Sequence, residues 1–287
     1  MGYERLRLTD GTVLNENHME HIEDGIANIY DGYSNHNLLD NGWFTINQRN
    51  ATSLSTGGYK VDRWKASNAT GSISDDGINI TAGSIFQNLE QSLIDSFTGK
   101  TLTASAIVDG TVVSSTGTMT ATGIQFDGFE LRTSDNSFSV YKHGLIRAAK
   151  LEIGSVSTLA NDVMPNYTDE LLRCQRYFYR LSAGSSRGNF GFSQIAGDSS
   201  TIYFCVQMPV PMRVSPSFTA SSDDCIGASR STGTNAISSI SVGKLTEWAE
   251  NTKVILRVKY TQNDVTTGTP YALFLAANSY LDFSADL

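Results

Sequence analysis

At 287 residues the chain exceeds one ordinary β-sandwich, so about two domains are expected. Charged side chains make up 17% of it, against roughly 25% in typical soluble domains, with Ser, Thr, Gly and Asn filling the difference. The net charge of −8 carries no basic stripe, which argues against nucleic-acid binding; no apolar run approaches the ~18 residues of a bilayer span, and the start lacks a signal peptide's apolar region.

Synthesis and assembly in a cytosol are therefore expected. The three cysteines, Cys174, Cys205 and Cys225, are odd in number and lack metal-ligand spacing, so reduced thiols are the expectation. Acidity is concentrated at the start: residues 1–36 hold seven acidic and two basic side chains.

Leu6 and Leu8 alternate with polar residues up to Asp10-Gly11, and Val13 follows, which predicts a small hairpin. Asn15 suits a helix N-cap. Met19, Ile22, Ile26, Ile29 and Tyr33 then recur at 3-4-3-4 spacing, the seam of a short coiled coil. So short and acidic a helix is marginal alone, and its seam needs a partner. The seam is narrow and the other faces are polar, which favours self-association over packing on the chain's own β-domain, and isoleucine at both seam positions favours three strands over two, hence a homotrimer. His18 and His21 share this helix away from the seam and are expected to be solvated.

From Asn37 the helical period disappears. Turn signals at Asn41-Gly42, Gly57-Gly58, Asp76-Gly77, Asp109-Gly110 and Asp127-Gly128 separate strand-like runs at 59–64, 77–80, 101–108, 123–131 and 138–146. This predicts an antiparallel sandwich, read as a jelly roll. A second helix is expected, capped by Thr168, with Leu171, Cys174, Phe178 and Leu181 at 3-4-3 spacing; Tyr177, Phe178 and Tyr179 are equally at home in a strand, in which case the helix stops near Arg176. Runs at 201–208, 215–220, 236–242, 253–260 and 271–276 predict a smaller β-sandwich. The expected fold class is thus mainly β, with domains at 1–36, 37–160 and 161–287.

Several of these stretches resemble a known family. Leu8-Thr9-Asp10-Gly11-Thr12-Val13-Leu14 with His21-Ile22-Glu23-Asp24-Gly25-Ile26 resembles the N-terminal segment of tail fibre and baseplate-associated proteins in phages and prophages of Gram-positive and gut bacteria. Asn37-Leu38-Leu39-Asp40-Asn41-Gly42, then Asn47-Gln48-Arg49, then Val61-Asp62-Arg63-Trp64 resemble the opening of the jelly-roll module in such fibres. Ala148-Ala149-Lys150-Leu151-Glu152-Ile153-Gly154 is similar to its closing strand, Glu170-Leu171-Leu172-Arg173-Cys174-Gln175-Arg176-Tyr177-Phe178 to the junction beyond, and Pro211-Met212-Arg213-Val214-Ser215-Pro216 to a strand start in the C-terminal domain. The resemblance spans roughly the first 220 residues.

It implies a structural virion protein of the tail, trimeric, that attaches to other tail or baseplate proteins and binds host cell-surface glycans. No cofactor is expected beyond a structural Ca²⁺ of the sort such modules hold, to which Asp40, Asp62 and Glu152 would contribute. Sugar rings stack on exposed aromatic faces, which makes Trp43, Trp248, Tyr260, Tyr271 and Tyr280 the candidate glycan contacts. Trp64 is read as core.

The chain is not expected to be an enzyme. Gly184-Ser185-Ser186-Arg187-Gly188 fits the G-x-S-x-G nucleophile elbow and Gly197-Asp198-Ser199 an esterase block. Both need a histidine after the serine, whereas His18, His21, His36 and His143 all precede Ser186. The alternatives are a purely structural baseplate or fibre connector and, further off, an envelope-polysaccharide hydrolase acting through two carboxylates.

Overall fold

The structure is a computed structural model that describes residues 17–19, 22, 33–54, 58–192, 201–222, 225–229, 240–243, 251–260 and 272–287. The protein is mainly β, with antiparallel sheets and few helices, as its composition and turn spacing predict. Two compact units divide it: residues 1–43 with 68–165, and residues 44–67 with 166–287. The sequence placed the break at 160 and kept 44–67 with the first sandwich. The structure instead makes the second unit discontinuous, because that loop bonds to the C-terminal strands, as described below.

The first unit is a nearly closed antiparallel sheet. Its strands are β3 (Gly77–Asn88), β4 (Thr101–Val108), β5 (Thr111–Thr118), β6 (Gly123–Phe126), β7 (Phe129–Arg132), β8 (Ser137–Val140) and β9 (Gly144–Ile153), in the order β5-β4-β9-β3-β8-β7-β6. A long β2 (Trp64–Ser74) pairs with β3 and with the short β1 (Tyr59–Val61). The sandwich-like shape comes from β3. Its first part pairs with β9 through Ile78↔Ile146, and its last part with β8 through Ile85↔Val140. Between them the inward positions shift from even (Ile78, Ile80) to odd (Ile85, Gln87). Gly83 lies in that corner at φ +75, where a Cβ would stand 2.3 Å from the Asn68 carbonyl oxygen.

Alternation then builds the core. Leu102, Ala104 and Ala106 of β4, Ile146 and Ala148 of β9, and Leu131, Phe138 and Val140 point inward, and Phe129 stacks on Phe138 with centroids 6.1 Å apart. The free edges of β5 and β6 meet: the Asp127 amide donates to Ser115 Oγ at 3.1 Å. A short helix α1 (Gln91–Asp95) follows β3 and contributes Ile94 to the core.

The second unit opens on α2 (Tyr167–Gln175). Its cap is Asn166, not Thr168: the Asn166 side chain accepts from the amides of Thr168 and Asp169. The helix stops at Gln175 because the aromatic run after it, Tyr177-Phe178-Tyr179, leads into a strand, β10 (Phe178–Ser182). Eight further strands follow: β11 (Gly188–Phe192), β12 (Thr201–Gln207), β13 (Ser217–Ala220), β14 (Ile226–Ser229), β15 (Ile240–Gly243), β16 (Lys253–Tyr260), β17 (Ala272–Leu275) and β18 (Tyr280–Ser284). Among the described residues they form three antiparallel sheets, β10-β18-β13, β11-β17-β14 and β12-β16-β15. Val206, Met208, Cys225, Ile226, Val254, Leu275, Leu281 and Phe283 make the core, with Tyr179 and Phe218 packed on it.

Candidate functional site

Two constellations stand out, one in each unit. In the second, the loop 44–67 carries the shifted titrations. Arg49 lies 3.4 Å from the Phe178 ring centroid and 5.0 Å from that of Tyr59. It donates to Asp62 Oδ1 at 3.1 Å and to Asp286 Oδ2 at 2.6 Å. The Gln48 amide also donates to Asp62, at 2.6 Å. Burial drives the Asp62 carboxyl up to about 6 against the pull of Arg49. Asp286 is displaced upward for the same reason, and burial pushes the Tyr59 phenol up to about 12. Tyr59 Oη and Lys65 Nζ both donate to the Leu287 carbonyl oxygen at 2.8 Å, and Arg180 forks onto Asp282 through two bonds of 2.7 Å.

Shifted pKa values mark functional sites and structural ion networks alike. Here the single guanidinium bridges two carboxylates and is enclosed by rings, and the Tyr59, Lys65 and Arg180 bonds tie loop 44–67 and β10 to β18 and the residues after it. The arrangement is a clasp.

The first unit offers open chemistry. Along β6, β7, β8 and the end of β3, the residues that face away from the core lie in register: Gln125↔Glu130, Glu130↔Ser139, Ser139↔Phe86 in one row, and Gly123↔Arg132, Arg132↔Ser137, Ser137↔Asn88 in the next. Tyr141, two residues beyond Ser139, is exposed on the same side, and its hydroxyl donates to Glu130 Oε2 at 2.7 Å. Arg132 donates to Asp135 at 3.0 Å and stands 3.9 Å from Glu130, with its Nε making no hydrogen bond. A groove of about 380 Å³ opens here, lined by residues 122–125 and 130–134. Gly123 lets β6 approach β7 closely here: at φ +116, a Cβ would meet the Leu131 carbonyl oxygen at 1.9 Å. Paired carboxylate, guanidinium and amide groups beside an exposed phenol can bond a polyhydroxylated ring at its edge and stack against its face.

Of the residues predicted as glycan contacts, neither Trp43 nor Tyr280 is among those that line this groove. Trp43 is half-buried, and Tyr280 is half-buried beneath the Arg180 guanidinium, 3.9 Å from its ring centroid. Tyr260 ends β16 with its side chain outside the described set, and Trp248 and Tyr271 lie outside the described residues. Trp64 is buried as expected, with its ring edge-on to Phe44 at 5.2 Å. Of the seam, Met19 is helical and exposed and Ile22 helical and half-buried; Ile26 and Ile29 lie outside the described residues. Tyr33 is exposed but not helical, so the helix does not run through the whole 3-4 pattern as the spacing predicts.

The suggested calcium ligands are not assembled. Asp62 faces Arg49, and Glu152 accepts from the Thr158 amide at 2.8 Å beside Lys150. Each of these two carboxylates is paired with a side-chain cation. Among the described residues no group of three or more His, Cys, Asp or Glu is arranged for a metal. Ser186 sits on an exposed loop between β10 and β11, not on a strand–turn–helix elbow, and Ser199 lies outside the described residues.

Sequence reasoning missed the groove because it looked for aromatic residues beside the Asn41-Gly42 turn and in the C-terminal domain. The signal was present in Phe129-Glu130-Leu131-Arg132, where charges alternate with core residues, and in Tyr141 after Phe138-Ser139-Val140. No family model, curated protein or solved structure matches the chain.

Proposed function

We propose that this chain is a structural adhesion protein of a bacteriophage tail, a homotrimer that attaches to the tail or baseplate and binds host cell-surface glycans without catalysing a reaction. The phage assignment rests on the ordered sequence resemblance over the first 220 residues or so. The glycan reading rests on one observation, the outward sheet face where Glu130, Arg132 and Gln125 stand beside the exposed Tyr141 ring. Single sugar contacts of this sort are weak, and linking three copies can raise avidity ~100–10,000-fold if geometry permits simultaneous binding.

The test is a glycan array of host-envelope saccharides probed with the full-length wild-type chain and with Tyr141→Ala and Arg132→Ala. Wild-type binding that drops about tenfold or more in each variant supports the reading. An array on which the wild-type chain binds nothing overturns it in favour of a connector with no receptor contact, and undiminished binding by both variants overturns the groove as the site.

A further inference from the structure

We infer that the exposed apolar strip along residues 153–164 is a contact surface for a second copy of the chain. This rests on the homo-oligomer proposed above, and it locates an interface that the heptad seam does not contain. Ile153, Val156, Val163 and Met164 are 43%, 69%, 87% and 58% exposed, and Tyr33 is 52% exposed. Isolated exposed hydrophobes are ordinary, but several on one short segment mark an interaction surface.

The strip is braced from beneath. Lys150 Nζ, with no solvent exposure, donates to Thr158 Oγ1 at 2.9 Å and to Asp162 Oδ1 at 2.5 Å, with Glu152 at 3.7 Å. The Thr158 amide donates to Glu152. A segment held this way presents its side chains already ordered, which lowers the cost of association. Asp162 is the only charged residue from 154 to 167, and its carboxylate is turned inward to Lys150. The exposed side chains of the segment are therefore uncharged, the charge depletion of an interface core.

The same bonds tie the strip to the seam, and this names the occupant. Lys150 also donates to Ser34 Oγ at 2.9 Å, and Ser34 Oγ donates to Asp162. The Asn35 amide donates to Thr158 Oγ1 at 2.9 Å, its side chain to the Ile153 carbonyl at 3.3 Å, and Asn161 Nδ2 to the Tyr33 carbonyl at 3.0 Å. Tyr33 is the last position of the 3-4 pattern that starts at Met19. Copies joined through that pattern would carry their strips to the same place, so a second copy is the partner the geometry favours.

The experiment uses the full-length chain with the exposed Cys205 changed to Ser. Oxidation of Val156→Cys or Val163→Cys is expected to give covalent dimers on a non-reducing gel, while Val112→Cys, exposed on β5, stays uncross-linked. Val163→Ser with Met164→Ser should raise the concentration at which the oligomer dissociates by about tenfold or more, with an unchanged far-ultraviolet dichroism spectrum. A wild-type oligomer that Ile22→Asp disrupts, but that the strip variants neither cross-link nor weaken, overturns the strip and leaves the seam standing. A wild-type monomer overturns both.

Discussion

At Arg49 a single side chain holds opposite parts of its unit together. The planar guanidinium serves two buried carboxylates while its faces rest on aromatic rings, a combination lysine cannot reproduce. Arg49→Ala would strand Asp62 and Asp286 without their common counter-charge, and a loss of about 3–5 kcal/mol is expected in urea denaturation. The pH dependence has a definite sign. Asp62 is raised from 3.8 to about 6 in the folded protein, so between those values the folded state binds more protons than the unfolded one. Its contribution to stability is full below pH ~4 and is lost as pH rises through about 6. Asp62→Asn should flatten that part of the stability–pH curve; an identical slope in variant and wild type would count against the assignment.

Between β4 and β5, Val108↔Thr111 closes a two-residue turn with Asp109 at φ +49 and Gly110 at φ +81. Both central residues are left-handed, the geometry that Asp-Gly favours. A Cβ on Gly110 would meet open space, so Gly110→Ala isolates the backbone cost, about 1–2 kcal/mol in thermal unfolding. Asn166→Ala removes the cap of α2 and should cost about 1 kcal/mol. Turn chemistry of this sort was legible in the sequence, and so was the strand character of the apolar runs. The polar strands were not. In β5, Thr-Val-Val-Ser-Ser-Thr-Gly-Thr alternates exposed and half-buried residues, and much of β2 is Ser, Thr and Asn. Their pairing partners make them strands, and a hydrophobic pattern cannot report that. The runs 123–131 and 138–146 likewise each resolve into two strands, split at Asp127-Gly128 and at residues 141–143.

For the whole molecule the prediction concerns assembly. Ile22 is helical and half-buried, on the polar, acidic segment that the sequence marks for self-association. Full-length wild type is expected to scatter light as an oligomer, and Ile22→Asp as a monomer, because a charge in an apolar seam costs more than a helix this short can bear. Wild type that elutes and scatters as a monomer at micromolar concentration would falsify the trimer.

The sequence by itself determined the mainly β class, the burial of Trp64 and most turn positions. These follow from composition and local periodicity, which act over a few residues. Only the tertiary structure decided that loop 44–67 belongs with the C-terminal unit, since Arg49 meets Asp286 across 237 residues of chain. It also decided which residues share an outward face, because cross-strand register brings the polar Gln125, Glu130 and Ser139 into one row with Phe86. And it placed side-chain cations, Arg49 and Lys150, beside carboxylates that the family resemblance had suggested for a metal.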